Sequence, residues 1–269
     1  MKAGQIRAIL RELGTRPSKR LGQHFLLLED VAEEIVAMAD VQAGEAVLEV
    51  GPGLGILTEP LLRRTSSLVA VEKDPLLAGY LKKRFPRLDL RVGDVLRVPL
   101  PPYEQVVSNL PFEISSPFLE RLLLAPFRRA VLTLQREFAE RLVAEPGVKA
   151  YSRLSVKVHY RAAAQLRRKI SPSAFWPPPE VEAAVVQIDA RDPPFQIERE
   201  AYFRVVDALF AHRRKTALNA LRLAALSLEL AEEEIEEVLR GDPLARKRAD
   251  EMRPEEMAAL TRRLLPSKP

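Results

Sequence analysis

Short apolar runs alternate with longer stretches of helical period along the first 144 residues. Runs rich in Val, Leu and Ala at 46–50, 67–72, 88–92, 105–108 and 130–134 have strand length and strand composition. Between them the spacing predicts helices at 2–13, 29–39, 55–64, 115–124 and 135–144, with another opening at Asp74-Pro75. In the 29–39 segment Val31, Ile35 and Val36 fall on one face. Strands separated by helices predict a parallel sheet with helices on both faces. The rhythm then changes. Residues 157–170 and 181–188 read as two strands around a Pro-rich 171–179, an antiparallel pair that would close the sheet edge. Arg191-Asp192-Pro193-Pro194 reads as a boundary, and the pattern beyond it is wholly helical at 202–211, 216–226, 231–239 and 254–264. The expected organisation is an α/β domain over 1–194 and a small all-α domain over 195–269.

Composition narrows the function. Of 269 residues 47% are apolar, enough for a large core, yet no apolar run approaches the length of a membrane span, and the N-terminus carries no apolar leader pattern. There is no cysteine, hence no disulfide and no thiolate metal site; with His24, His159 and His212 scattered, no metal centre is expected. A cytoplasmic monomer is expected. The net charge of +5 is concentrated: Lys2, Arg7, Arg11, Arg16, Lys19 and Arg20 precede residue 25 against the single acid Glu12. Further clusters are Arg167-Arg168-Lys169, Arg213-Arg214-Lys215 and Arg246-Lys247-Arg248, a distribution that points to a nucleic acid.

The candidate chemistry lies at strand ends. Glu49-Val50-Gly51-Pro52-Gly53-Leu54-Gly55 follows the first strand and opens a helix, a nucleotide-binding arrangement. A dinucleotide fingerprint would place its third glycine where Ile56 stands. The spacing here is G-x-G-x-G, and Glu49 offers a negative charge suited to a cationic ligand rather than a pyrophosphate. Glu72 ends the next strand, 21 residues after Gly51, where a carboxylate can accept both hydroxyls of a ribose. The E-x-G-x-G-x-G pattern resembles the first motif of S-adenosylmethionine-dependent methyltransferases.

At the fourth strand tip stands Asn109-Leu110-Pro111-Phe112. An aromatic amine such as adenine N6 is a poor nucleophile because its lone pair is delocalised into the ring. The Asn109 side-chain oxygen and the Leu110 carbonyl can take its two hydrogens and favour a pyramidal nitrogen, while Phe112 stacks on the base. No general base is then required, because orientation does the work. The motif resembles the signature of amino methyltransferases in its N-L-P-Y/F variant.

Taken with Asp94, Lys19-Arg20-Leu21-Gly22-Gln23-His24-Phe25-Leu26, Gln135–Leu142, Phe175-Trp176-Pro177-Pro178-Pro179-Glu180-Val181 and Arg213-Arg214-Lys215-Thr216, these motifs resemble the KsgA-type ribosomal RNA adenine dimethyltransferases, relatives of the Erm enzymes. The resemblance implies a Rossmann-like methyltransferase sheet with a helical RNA-recognition domain. It implies S-adenosyl-L-methionine as cofactor, with His24 and Leu26 at its methionine part and Gly51 and Gly53 at the floor. Glu72 would take the ribose, Asp94 and Val95 the adenine end, and Asn109 would lie between cofactor and target. Phe112 and Phe175 would sandwich the target adenine. The implied reaction is N6,N6-dimethylation of two adjacent adenosines in a 3′-terminal hairpin loop of small-subunit (16S) rRNA, in the subunit or its precursor, with a role in subunit biogenesis. A large-subunit rRNA enzyme of the Erm kind and a non-catalytic assembly factor are the rival readings.

Overall fold

The computed structural model describes residues 1–266. The expected helical range 195–269 therefore ends in residues, 267–269, that lie outside the described residues. The chain forms two compact units, one of residues 1–139 and 164–190, the other of 140–163 and 191 onward.

The first unit opens with α1 (Ala3–Glu12), the two-residue strand β1 (Phe25–Leu26) and α2 (Glu29–Ala39). There follow β2 (Val47–Val50), α3 (Thr58–Leu62), β3 (Leu68–Glu72), α4 (Pro75–Arg84), β4 (Asp89–Val92), β5 (Gln105–Asn109), α5 (Ser115–Leu124), β6 (Arg129–Gln135) and α6 (Arg136–Leu142). After α7 (Arg153–Arg161) the chain returns as β7 (Ala162–Ile170), β8 (Phe175–Trp176) and β9 (Ala183–Ala190). Seven strands form one sheet in the order β4-β3-β2-β5-β6-β9-β7. The pairs from β4 to β6 are parallel, and β9 runs antiparallel to β6 in a register that sets Arg129 opposite Asp189, where their side chains form an ion pair at 2.5 Å. Val107, Val131 and Val185 alternate inward from neighbouring strands and pack with Ile35 and Val36 of α2 and Leu61 of α3, all fully buried. Because β2, β3 and β5 run in the same direction, their carboxyl ends lie along one edge, where open α/β sheets present their ligand sites.

The second unit is helical: α8 (Arg199–Ala211), α9 (Ala217–Leu223), α10 (Ala225–Leu228), α11 (Glu232–Val238) and α12 (Pro254–Leu264). Its core holds Tyr151, Tyr160, Tyr202 and Phe203, and each tyrosine hydroxyl donates to a carbonyl, of Met252, Ile197 and Pro254 respectively. Burying a hydroxyl with a partner avoids the cost of an unsatisfied group.

Two expectations are corrected. The segment 157–170 is not one strand: α7 occupies Arg153–Arg161, and β7 starts at the next residue. Leu154, Val156, Val158 and Tyr160 alternate with Ser155, Lys157, His159 and Arg161, a period-two pattern that imitates a strand, and no Gly or Pro separates the helix from β7. The helical unit also begins before 195, because Val156 and Tyr160 of α7 belong to its core.

Candidate active site

The Gly-rich turn after β2 is held open by backbone conformation. Gly51 and Gly53 have φ of 65° and 60°, the left-handed region that β-carbons disfavour. A Cβ on Gly51 would come within 3.1 Å of Pro111, and one on Gly53 within 3.3 Å of the Phe25 ring. The turn is therefore a bare-backbone floor pressed between the tip of β5 and the N-terminal arm. Ser108 stitches the same tips together, its hydroxyl donating to the Val50 carbonyl at 2.6 Å.

A cleft opens over this floor, lined by His24, Leu26, Glu49, Gly51, Gly53, Glu72, Asp94, Val95, Asn109, Leu110, Pro111 and Phe112. All the expected site residues converge there except Phe175. Phe175 is 2% exposed and belongs to the core, with the half-buried Phe112 packed against that cluster. Its backbone pairs with Leu26 in a two-strand ladder, β1 with β8, and its side chain is packed in the core and does not line the cleft.

Two buried carboxyls face the cleft. Glu72 accepts from the backbone N–H of Gly53 at 3.0 Å and of Asp74 at 2.8 Å. Burial nevertheless raises its pKa against those donors. Glu49 is 1% exposed and accepts from the Thr58 hydroxyl at 2.7 Å. Burial, with the Glu72 charge adding to it, pushes Glu49 up to about 8. Burial thus opposes, in the free protein, the negative charge expected at Glu49, which a cationic ligand would favour. Asp94, more open, accepts from Lys73 Nζ at 2.9 Å and from the Leu96 N–H at 3.0 Å, and the lysine above all holds its carboxyl below the ordinary aspartate value.

At the β5 tip the Asn109 amide nitrogen donates to the His24 carbonyl at 3.1 Å. Its oxygen therefore points the other way, and no described residue donates to it or to the Leu110 carbonyl. The His24 ring stacks on Phe112 with centroids 5.7 Å apart. His24 Nδ1 lies 2.8 Å from the Pro177 carbonyl, which can only accept, so the proton is on Nδ1 and a neutral ring leaves Nε2 as an acceptor.

Four residues have positioning roles that the sequence does not assign, although Gln23 stands within the arm motif. Gln23 donates to Asp74, the N-cap of α4, at 3.1 Å and accepts from the Ser18 N–H, which ties the arm down. Thr58 and Ser108 are ordinary hydroxyl residues in sequence. Glu113 packs its carboxylate over buried Gly22, where a Cβ would collide with it.

The cleft fits S-adenosylmethionine: a floor without β-carbons, a buried acid at the end of β3 and a polar, half-open acid beside β4. The fold and this site define an S-adenosylmethionine-dependent methyltransferase of Rossmann-like architecture. The description "Ribosomal RNA adenine dimethylase" matches residues 14–258, and the chain belongs to that family. A relative named probable ribosomal RNA small subunit methyltransferase A from Thermococcus kodakarensis is 40% identical over 93% of this chain and 91% of its own length. A protein of the same name from Methanothermobacter thermautotrophicus is 41% identical over 94% and 93%. Among solved structures, a dimethyladenosine transferase from Plasmodium falciparum superposes with a TM-score of 0.77 at 24% identity, covering 88% of this chain and 96% of that one. The 23S rRNA methyltransferase ErmE gives 0.68 at 26% identity, covering 89% and 99%.

Proposed function

We propose that the enzyme dimethylates N6 of two adjacent adenosines in the 3′-terminal hairpin loop of small-subunit rRNA. It would act as a cytoplasmic monomer on the subunit or its precursor and contribute to subunit biogenesis. The observation that carries this reading is the Asn109 amide, turned by its bond to His24 so that its oxygen and the Leu110 carbonyl remain as acceptors. Two fixed acceptors suit the two hydrogens of an exocyclic amine. The relatives named for the small subunit support the choice of rRNA.

In this reading S-adenosylmethionine, when bound, supplies a methyl group made electrophilic by its sulfonium. Glu72 holds the ribose hydroxyls, Asp94 and Val95 the adenine end, and His24 and Leu26 the methionine part above Gly51 and Gly53. Asn109 and Leu110 orient the target amine, Pro111 fixes the turn, and Phe112 stacks on a base drawn out of its helix. Phe175 keeps Phe112 in place. The amine loses its proton after attack, so the residues need only orient. The helical unit, with its basic clusters, serves rRNA recognition.

The test is methylation of both ribosomal subunits from a strain lacking the modification, with labelled cofactor and mass-spectrometric mapping. Label in adjacent adenosines of the small-subunit rRNA is expected. Label in the large subunit would assign the Erm-type activity instead, and no transfer to either would leave a non-catalytic assembly factor.

A further inference from the structure

The basic clusters of this chain differ in how far the protein neutralises them. Arg168 is paired with Glu34, Arg213 with Asp250 at 3.4 Å, and Lys247 with Glu256 at 2.5 Å. A carboxylate thus already answers one member of each of those clusters. The N-terminal segment is different. Arg7, Arg11, Arg16, Lys19 and Arg20 are all exposed, and none forms an ion pair among the described residues.

These cations stand on a fixed support. Ile6 and Leu10, each 1% exposed, dock α1 into a cluster with Phe25, Leu54 of the Gly-rich turn and Leu77 of α4. Arg7 and Arg11, one helical turn apart, project about 6 Å from each other along the axis. Gly14, with φ of 65°, ends the helix, and the chain then reaches the tight turn Lys19–Leu21. Ile6 of α1 and Arg20 both line the cleft that holds Asn109, so the segment that carries these charges borders the cleft at both ends. Arg7 and Arg11 precede residue 14, where the family match begins.

We propose that this segment, from Arg7 to Arg20, is a phosphate-binding rail that grips the backbone of the rRNA strand entering the cleft. The inference rests on the reading of RNA as substrate. Five cations held near one another against the single acid Glu12 concentrate small anions, and a polyanion that displaces them gains the entropy of their release. A rigid cationic row beside the amine-orienting site would fix the register of the strand without reading its bases.

The test compares Arg7→Gln/Arg11→Gln with Arg7→Lys/Arg11→Lys and the unaltered protein. Binding to a protein-free rRNA hairpin is measured by anisotropy between about 50 and 200 mM salt, the range over which phosphate contacts are felt. Glutamine is nearly as good a helix former as arginine, and unchanged cofactor affinity by calorimetry certifies the fold. Loss of two phosphate contacts should lower the logarithmic salt slope by about 1.4–1.8, and the lysine pair should restore it. An unchanged slope in the glutamine pair, from a protein that still methylates rRNA, overturns the rail and leaves the function standing. A loss seen with assembled subunits but not with the bare hairpin would transfer the surface to a ribosomal protein and overturn it as well. Absence of any RNA binding or methylation by the unaltered protein would remove the substrate reading and the rail together.

Discussion

The Asn109 side-chain nitrogen donates to the His24 main-chain carbonyl, 3.1 Å away across 85 residues of sequence. One bond thereby fixes which end of the amide meets the cleft and joins the arm to the tip of β5. Asn109→Ala is expected to lower the methyl-transfer rate far more than RNA affinity, because its contacts to the amine mature in the transition state. Asn109→Asp keeps an oxygen toward the cleft but sets another against the His24 carbonyl. It should also fail in catalysis and lower thermal stability by about 0.5–1.5 kcal/mol for the lost bond. Single-turnover transfer, RNA binding and melting curves check the pair. Equal losses of rate and RNA affinity in Asn109→Ala would make it a binding residue.

Glu72 has a structural duty besides any ligand. Its two oxygens hold the N–H groups of Gly53 and Asp74, which shape the Gly-rich turn and the start of α4. Glu72→Ala should therefore destabilise the free protein by about 1–3 kcal/mol for each donor left buried and unpaired. Glu72→Gln keeps one carbonyl acceptor and should retain more stability while still binding cofactor weakly. Melting without ligand and calorimetry with it separate the two effects. Unchanged cofactor affinity in Glu72→Gln would remove the ribose role.

The sheet and most of the site were legible because strand composition, helix period and chemistry coincide there. Glu49, Glu72 and Asn109 all stand at or near the ends of Val-rich strands, so finding the strands located the cleft. The helix α7 was hidden because Leu154, Val156, Val158 and Tyr160 alternate with polar residues at the period of a strand. The β1–β8 ladder was hidden because two-residue strands carry no periodicity, and it is this ladder that carries Phe175 into the core instead of the cleft. The upward shift of the Glu49 pKa depends on complete burial beside a second acid, a property of the packed fold that no local pattern records.

Glu49 gives the free protein a pH dependence of definite sign. Its folded pKa of about 8 lies above the ordinary 4.5, so between those values the folded state binds more protons than the unfolded chain. Its contribution to stability is complete below 4.5 and is lost as pH rises through about 8. The melting temperature without cofactor should fall with rising pH in that window. Glu49→Gln, which copies the protonated acid, should flatten the fall and leave the part contributed by Glu72, whose pKa is also raised by burial. A cationic ligand favours the ionised form, so cofactor affinity should tighten toward pH 8 in the unaltered protein and not in the variant. A flat profile in both proteins would show that Glu49 is ionised from the start.

In the helical unit, main-chain pairing brings together two basic clusters that are separate in sequence. Thr216 bridges antiparallel to Arg248, and the Ala217 N–H donates to the Lys247 carbonyl at 2.7 Å, so the end of Arg213–Lys215 meets the end of Arg246–Arg248. Arg213 is held by Asp250 and Lys247 by Glu256, which leaves Arg214, Lys215, Arg246 and Arg248 exposed and without ion pairs among the described residues. If this surface holds rRNA, the members of the first cluster should act unequally. Arg214→Gln/Lys215→Gln should weaken RNA binding and lower its logarithmic salt slope by about 1.4–1.8, with cofactor affinity intact. Arg213→Gln should barely move the slope, because it removes a partner of Asp250 rather than a free cation, and a half-exposed pair of that kind is worth only about 0–1 kcal/mol. Equal slopes for the double variant and the unaltered protein at every salt concentration would reduce the joined clusters to a solubilising surface.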